Sequence, residues 1–218
     1  MHETPTKEPI FNAPILAFLI PAVIIALYAL QRAMGPQLED ALLNSFALSS
    51  PLLRQGQYEL LVTYQFLHGS WSHVLFNAVF CLAFATPLTR AVGRGLGALL
   101  SYLAFFLICG AVAGLGHCLL NWRDPAAIIG ASGAVSGIIA AAMRLRGDGR
   151  LNGFLSKRVV GMTVIYIGVN AASALVPLTP GAGGVLVAWQ AHIVGYIAGL
   201  VLIEPWLRLF HRRYFTLN

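Results

Sequence analysis

Between Leu60 and Thr89 the chain carries no Asp, Glu, Lys or Arg, and this scarcity of charge extends to the whole sequence: 10% of its 218 residues are charged against 58% apolar. With a mean hydropathy of +0.75, such a composition excludes an ordinary soluble globular domain. Cysteine is scarce too. Cys81, Cys109 and Cys118 all lie in apolar runs, at spacings that fit neither a disulfide framework nor a zinc knuckle, which leaves them as packing residues. No HExxH occurs, and His68 and His73 stand five residues apart, about 140° around a helix, so neither a metal site nor any other cofactor is expected. Repeats, low-complexity tracts and an appended soluble domain are equally absent from the sequence.

What is present is a series of charge-free runs: Pro9 to Gln31, Leu60 to Thr89, Gly95 to Trp122, Pro125 to Met143 and Val159 to Ile203. A helix needs roughly 20 such residues to cross about 30 Å of hydrocarbon. The last run holds 45 residues, enough for two crossings, and divides at "VPLTPGAGG" (Val176 to Gly184), whose Pro and Gly suit a loop. The sequence thus predicts an all-α integral membrane protein, a single domain over 1–218, with six transmembrane helices near 10–32, 71–90, 96–120, 131–145, 159–177 and 188–209.

Six crossings place both termini on one side. That side collects Lys7, Arg90, Arg94, Arg144, Arg146, Arg150, Lys157, Arg158, Arg208, Arg212 and Arg213, against Arg32, Arg54 and Arg123 opposite, which makes it the cytoplasmic side. The formal charge of +6 then answers to topology and to the anionic lipid bilayer, and calls for no nucleic-acid partner. The first apolar segment is expected to be an uncleaved first helix and not a removable signal peptide. Short termini and loops suit the inner membrane of a bacterium.

Polar groups inside these spans are expensive and point to function by default. They are few: His68, His73, Asn77, His117, Ser132, Ser136, Asn170 and His192. On the helices that run toward the cytoplasm, Ser132 lies 12 residues before Arg144, His192 lies 12 before Glu204, and Asn77 lies 13 before Arg90. At 1.5 Å per residue each stands roughly 18 to 20 Å above the cytoplasmic boundary. His73, four residues before Asn77, shares its helical face one turn nearer the outside. His117 falls near the outer interface as a surface residue, and Asn170 reads as an interhelical hydrogen bond.

Small residues explain how these helices come together. "GASGAVSG" (Gly130 to Gly137) and "AHIVGYIAG" space Gly133 and Gly137, and Gly195 and Gly199, along single faces, which lets transmembrane backbones approach. A serine hydroxyl is a weak nucleophile until a neighbouring base takes its proton, and neutral imidazole suits that role. Ser132 and His192 supply the pair. The oxyanion formed on an attacked carbonyl needs donors, for which the Asn77 amide, the His73 ring and the Ser132 backbone N–H are the candidates. No intramembrane carboxylate lies at this depth, so the expectation is a dyad and not a triad.

Three motifs, "HGSWSHVLFN", "GASG" and "AHIVGYIAG", give the chain a resemblance to the rhomboid intramembrane serine proteases in their basic six-helix form. The resemblance implies a rhomboid-like bundle in which Ser132 and His192 are catalytic, His73, Asn77 and the Ser132 backbone stabilise the oxyanion, and His68, Gly130, Gly133, Gly195 and Gly199 give structural support. Its substrates would be transmembrane proteins, cut in or beside a membrane segment. Two positions depart from the family pattern. Ser136 stands where many members have an aromatic residue packed on the histidine ring, and Glu59-Leu60 replaces a Trp-Arg pair of the first outer loop.

Two other classes compete with a protease: a catalytically silent rhomboid-like binding or quality-control protein, and a small transporter. The presence of both Ser132 and His192 speaks against the first, and the lack of intramembrane acidic residues and of matched broken helices against the second. In a protease, the "LTPGAGGVL" loop is the expected moving part that admits a substrate helix, with preference for small residues at the cut and helix-breaking Gly or Pro nearby.

Overall fold

The computed structural model describes residues 13–175 and 188–216. Among these residues the chain is helical throughout, without a β-strand. After a 3₁₀ turn (Ile15–Phe18) come α1 (Leu19–Ala33), α2 (Pro36–Phe46), α3 (Ser50–Arg54), α4 (Leu60–Thr63), α5 (Trp71–Val92), α6 (Leu96–Leu120), α7 (Ser132–Arg144), α8 (Lys157–Leu175) and α9 (Trp189–Phe210). Four stretches are long and apolar enough to cross a membrane: Ile15–Ala33, Trp71–Val92, Leu96–Leu120 and Trp189–Phe210. The "VPLTPGAGG" and "LTPGAGGVL" stretches, and the first residues expected in the opening helix, lie outside the described residues.

The helix α7 differs from the others in length and in burial. Its 13 residues span about 20 Å, less than a hydrocarbon core of about 30 Å. Every residue from Gly133 to Arg144 is buried, the mark of a helix enclosed on all sides by protein. Around it stand α5, α6, α8 and α9. Its closest neighbour is α9, because glycine faces glycine: a Cβ at Gly195 would fall on the Gly133 carbonyl, and one at Gly199 on the Gly137 carbonyl. On the other flank, a Cβ at Gly133 would stand 2.6 Å from the Ala113 Cβ of α6.

The connection between α1 and α5 is more ordered than its sequence suggests, since it holds α2, α3 and α4, none of which the apolar periodicity predicts. Gly35 (φ +83°) and Pro36 at the first turn open α2, Pro preorganising the helical φ. This connection braces the segment that leads down to α7. Leu48 and Ile128 exchange backbone hydrogen bonds of 3.1 and 2.8 Å, and the Gly130 N–H donates to the Tyr64 carbonyl at 2.8 Å. The Ser50 hydroxyl lies 3.1 and 3.0 Å from the carbonyls of Cys118 and Asn121. Arg54 donates to the Trp122 carbonyl and lies 5.2 Å from the Trp122 ring centroid. The connection between α1 and α5, which contains Glu59-Leu60, is therefore anchored through Leu48, Ser50 and Arg54.

Candidate active site

Ser132 is the first residue of α7, where a backbone N–H has no acceptor within its own helix. It arrives there from Gly130, whose φ of +118° is a conformation that L side chains rarely adopt. From α9, His192 reaches across the glycine contact, and its Nε2 lies 2.7 Å from Ser132 Oγ. Both residues are half-buried. The closeness follows from the sequence: Gly133 and Gly195 let the two backbones touch one helical step beyond the serine and one turn beyond the histidine.

The other wall is the N-terminal half of α5. Ser70 caps this helix, its hydroxyl accepting the His73 N–H at 3.1 Å, a standard serine cap. Val74, Asn77, Ala78, Cys81 and Ala85 form its buried stripe at helical spacing. The His73 ring lies so close to Gly130 that a Cβ there would stand 2.7 Å from both Cε1 and Nε2 of the ring, and 3.9 Å from Asn77 Nδ2. Asn77 Nδ2 is buried and has no hydrogen-bond partner among the described residues. A buried amide donor without an acceptor is costly and marks a place where an acceptor can be received.

His68 sits behind this wall. It is fully buried, with its ring 5.0 Å from that of His73 and 6.3 Å from that of Tyr28, edge-on to each. Its backbone is gripped by one side chain of α1: Gln31 Nε2 donates to the His68 carbonyl at 2.7 Å, and Gln31 Oε1 accepts the His68 N–H at 3.3 Å. Gln31 is held in turn by Glu39 at 3.1 Å, which pairs with Arg32 at 2.6 Å. His117, expected on the surface, is half-buried, its Nδ1 3.3 Å from Asn121 Nδ2.

The helix α8 contributes what the motifs do not contain. Asn170, buried, has its Oδ1 2.8 Å from His192 Nδ1. The Ser136 hydroxyl donates to the Ser132 carbonyl at 2.6 Å and receives the Tyr166 hydroxyl at 2.5 Å. The Tyr166 ring stacks on that of Tyr196 at 4.3 Å, and Thr163 lies 3.0 Å from the Tyr196 hydroxyl. A signal for Asn170 existed in the sequence: it lies 12 residues after Arg158, the same spacing from a basic residue that Ser132 has from Arg144.

As a chemical arrangement, a hydroxyl hydrogen-bonded to an imidazole opens a helix two residues after a glycine that lies against a second imidazole and near a buried amide without a partner among the described residues. Comparison with known proteins agrees with this architecture. A family model described as "Rhomboid domain" matches residues 55–208. The chain is 30% identical over 153 residues to "Rhomboid-like protein 11, chloroplastic" of Arabidopsis thaliana, an overlap covering 67% of this chain and 51% of the relative. The chain thus spans about half the length of the curated relative it matches. Helical architecture, membrane-length apolar helices and a family match over most of its length identify this chain as a multi-pass membrane protein of the rhomboid family.

Proposed function

We propose that this protein is an intramembrane serine endopeptidase that cuts transmembrane protein substrates in or next to their membrane segments. The observation that carries this reading is the 2.7 Å hydrogen bond between Ser132 Oγ and His192 Nε2, the contact through which an imidazole removes the proton of an attacking serine. As the Oγ–carbon bond forms, that proton passes to Nε2 and the carbonyl electron pair moves onto oxygen. The oxyanion is received by Asn77 Nδ2, the His73 ring N–H and the Ser132 backbone N–H. Collapse breaks the carbon–nitrogen bond, with Nε2–H protonating the leaving amine. Water then repeats the sequence on the acyl-enzyme and releases the serine.

The same reading takes six helices as crossings, α1 and α5 to α9, the short and enclosed α7 included, with both termini in the cytoplasm and the serine reached from the outer side. Basic residues cluster accordingly at the ends of α5, α7 and α9 and the start of α8. The decisive experiment incubates the purified full chain in proteoliposomes with a single-pass test substrate and compares it with Ser132→Ala and His192→Ala. Cleavage by the parent alone is expected, since each variant removes half of one proton-transfer unit. If the parent binds the substrate without cleaving it, the chain is a silent family member.

A further inference from the structure

We infer that Asn170 positions His192, so that the site is a Ser132–His192–Asn170 relay whose third member comes from α8. The inference rests on the protease reading above and adds to it a residue that none of the three motifs contains. Its basis is a chain of hydrogen bonds with one consistent assignment. Asn170 Nδ2 lies 2.9 Å from the Tyr166 carbonyl, which can only accept, so the amide NH₂ group occupies that side. The amide oxygen is then the atom 2.8 Å from His192 Nδ1. An amide oxygen only accepts, so Nδ1 carries the proton. Nε2 is left with its lone pair directed at Ser132 Oγ, 2.7 Å away, which is the tautomer a general base requires.

The choice of Asn suits the setting. A carboxylate at this depth would have to be kept ionised in lipid surroundings, whereas a neutral amide orients the ring at much lower cost. The amide is itself fixed: Asn170 is buried, and Tyr166, one turn earlier, is held by Ser136 and by stacking on Tyr196. Ser136, which stands where an aromatic residue would press on the histidine ring, instead links α7 to α8. Positioning of His192 passes from a side chain of α7 to Thr163, Tyr166 and Asn170 along one stripe of α8.

The test compares Asn170→Leu and Asn170→Asp with the parent in cleavage kinetics, in the rate of labelling by a fluorophosphonate, and in the ¹⁵N spectrum of the histidine rings. For Asn170→Leu, kcat is expected to fall roughly 10²-fold, the lower range of a general base's contribution, with KM nearly unchanged and labelling slowed in parallel. Asn170→Asp, which as the neutral acid sets its O–H on the Tyr166 carbonyl and keeps its carbonyl oxygen on Nδ1, is expected to recover most of both rates. The parent's His192 resonances should report protonation at Nδ1, a readout that needs no turnover. An unchanged kcat in Asn170→Leu, a loss confined to KM, failure of Asp to restore the rate, or an Nε2-protonated ring in the parent would each overturn the positioning role. Absence of cleavage in the parent together with an Nδ1-protonated His192 would overturn the protease reading and leave the ring assignment standing. Should Asn170→Leu not fold, the Asp variant and the parent spectrum still decide.

Discussion

Gly130 meets two demands at once, and they explain why the site tolerates no side chain there. Its φ of +118° strains any other residue by about 1–3 kcal/mol, and a Cβ would stand 2.7 Å from the His73 ring. Gly130→Ala is expected to lower the unfolding temperature and to displace His73, reducing cleavage by at least ~10-fold; a fully active variant would remove His73 from the site. Losing one oxyanion donor costs about 10²–10³ in rate, so Asn77→Ala and His73→Ala should each fall within or below that range, measured as kcat on the same substrate. The double variant should fall further. At this scale the sequence is informative about depth and about faces within one helix, and silent about how one helix is turned toward another. Counting residues from the charged boundary brings Ser132, His192 and Asn77 to one level, but nothing in the count says which way a side chain faces around its helix. For Asn170 the sequence indicates an interhelical bond and not its partner, because His192 lies 22 residues away on another helix.

Among the elements, α7 and α9 depend on glycine for their contact, and the dependence is selective. Gly199→Ala places a methyl group on the Gly137 carbonyl and is expected to destabilise by about 1–3 kcal/mol. Gly168→Ala on α8, with nothing within 4 Å, should be neutral or stabilising by up to ~1 kcal/mol through helix propensity. Thermal unfolding of the two variants in one detergent checks the contrast, and equal losses would refute it. The small-residue faces of α7 and α9 were legible in "GASGAVSG" and "AHIVGYIAG" because packing periodicity is written locally. The short helices α2, α3 and α4 were not. They are held by distant partners, Leu48 by Ile128 and Ser50 by Cys118 and Asn121, which no local pattern records.

For the molecule as a whole, the end of the bundle away from Ser132 is closed by Arg144, whose side chain is almost fully buried yet pairs at 2.8 Å with Glu204, itself about one-third exposed. Arg144 also donates to the Leu200 carbonyl at 3.2 Å and lies 4.0 Å from the centroid of the Phe154 ring. Glu204→Gln leaves that charge uncompensated and should cost about 3 kcal/mol, the lower end for breaking such a pair because Glu204 meets solvent; an unchanged unfolding midpoint would show the pair to be dispensable. Topology has its own check. In a background lacking Cys81, Cys109 and Cys118, single cysteines at 132 and 192 should react with small water-soluble thiol reagents from the outer side only, and labelling from the cytoplasm would reverse the orientation.

The glycine contact between α7 and α9 also has a mechanical meaning. Two helices whose backbones touch at Gly133–Gly195 and again at Gly137–Gly199 leave no room between them for a side chain, so the register of one on the other is set at two points one turn apart. Ser132 and His192 thus ride on a closely fitted pair, and on the protease reading the room for a substrate helix has to come from elsewhere in the bundle. The helix α8 is held to that pair by a stripe of hydrogen bonds and by the stacking of Tyr166 on Tyr196. On the protease reading, the glycine contact fixes where Ser132 points, and the hydrogen bonds of α8 fix how the His192 ring is turned toward it.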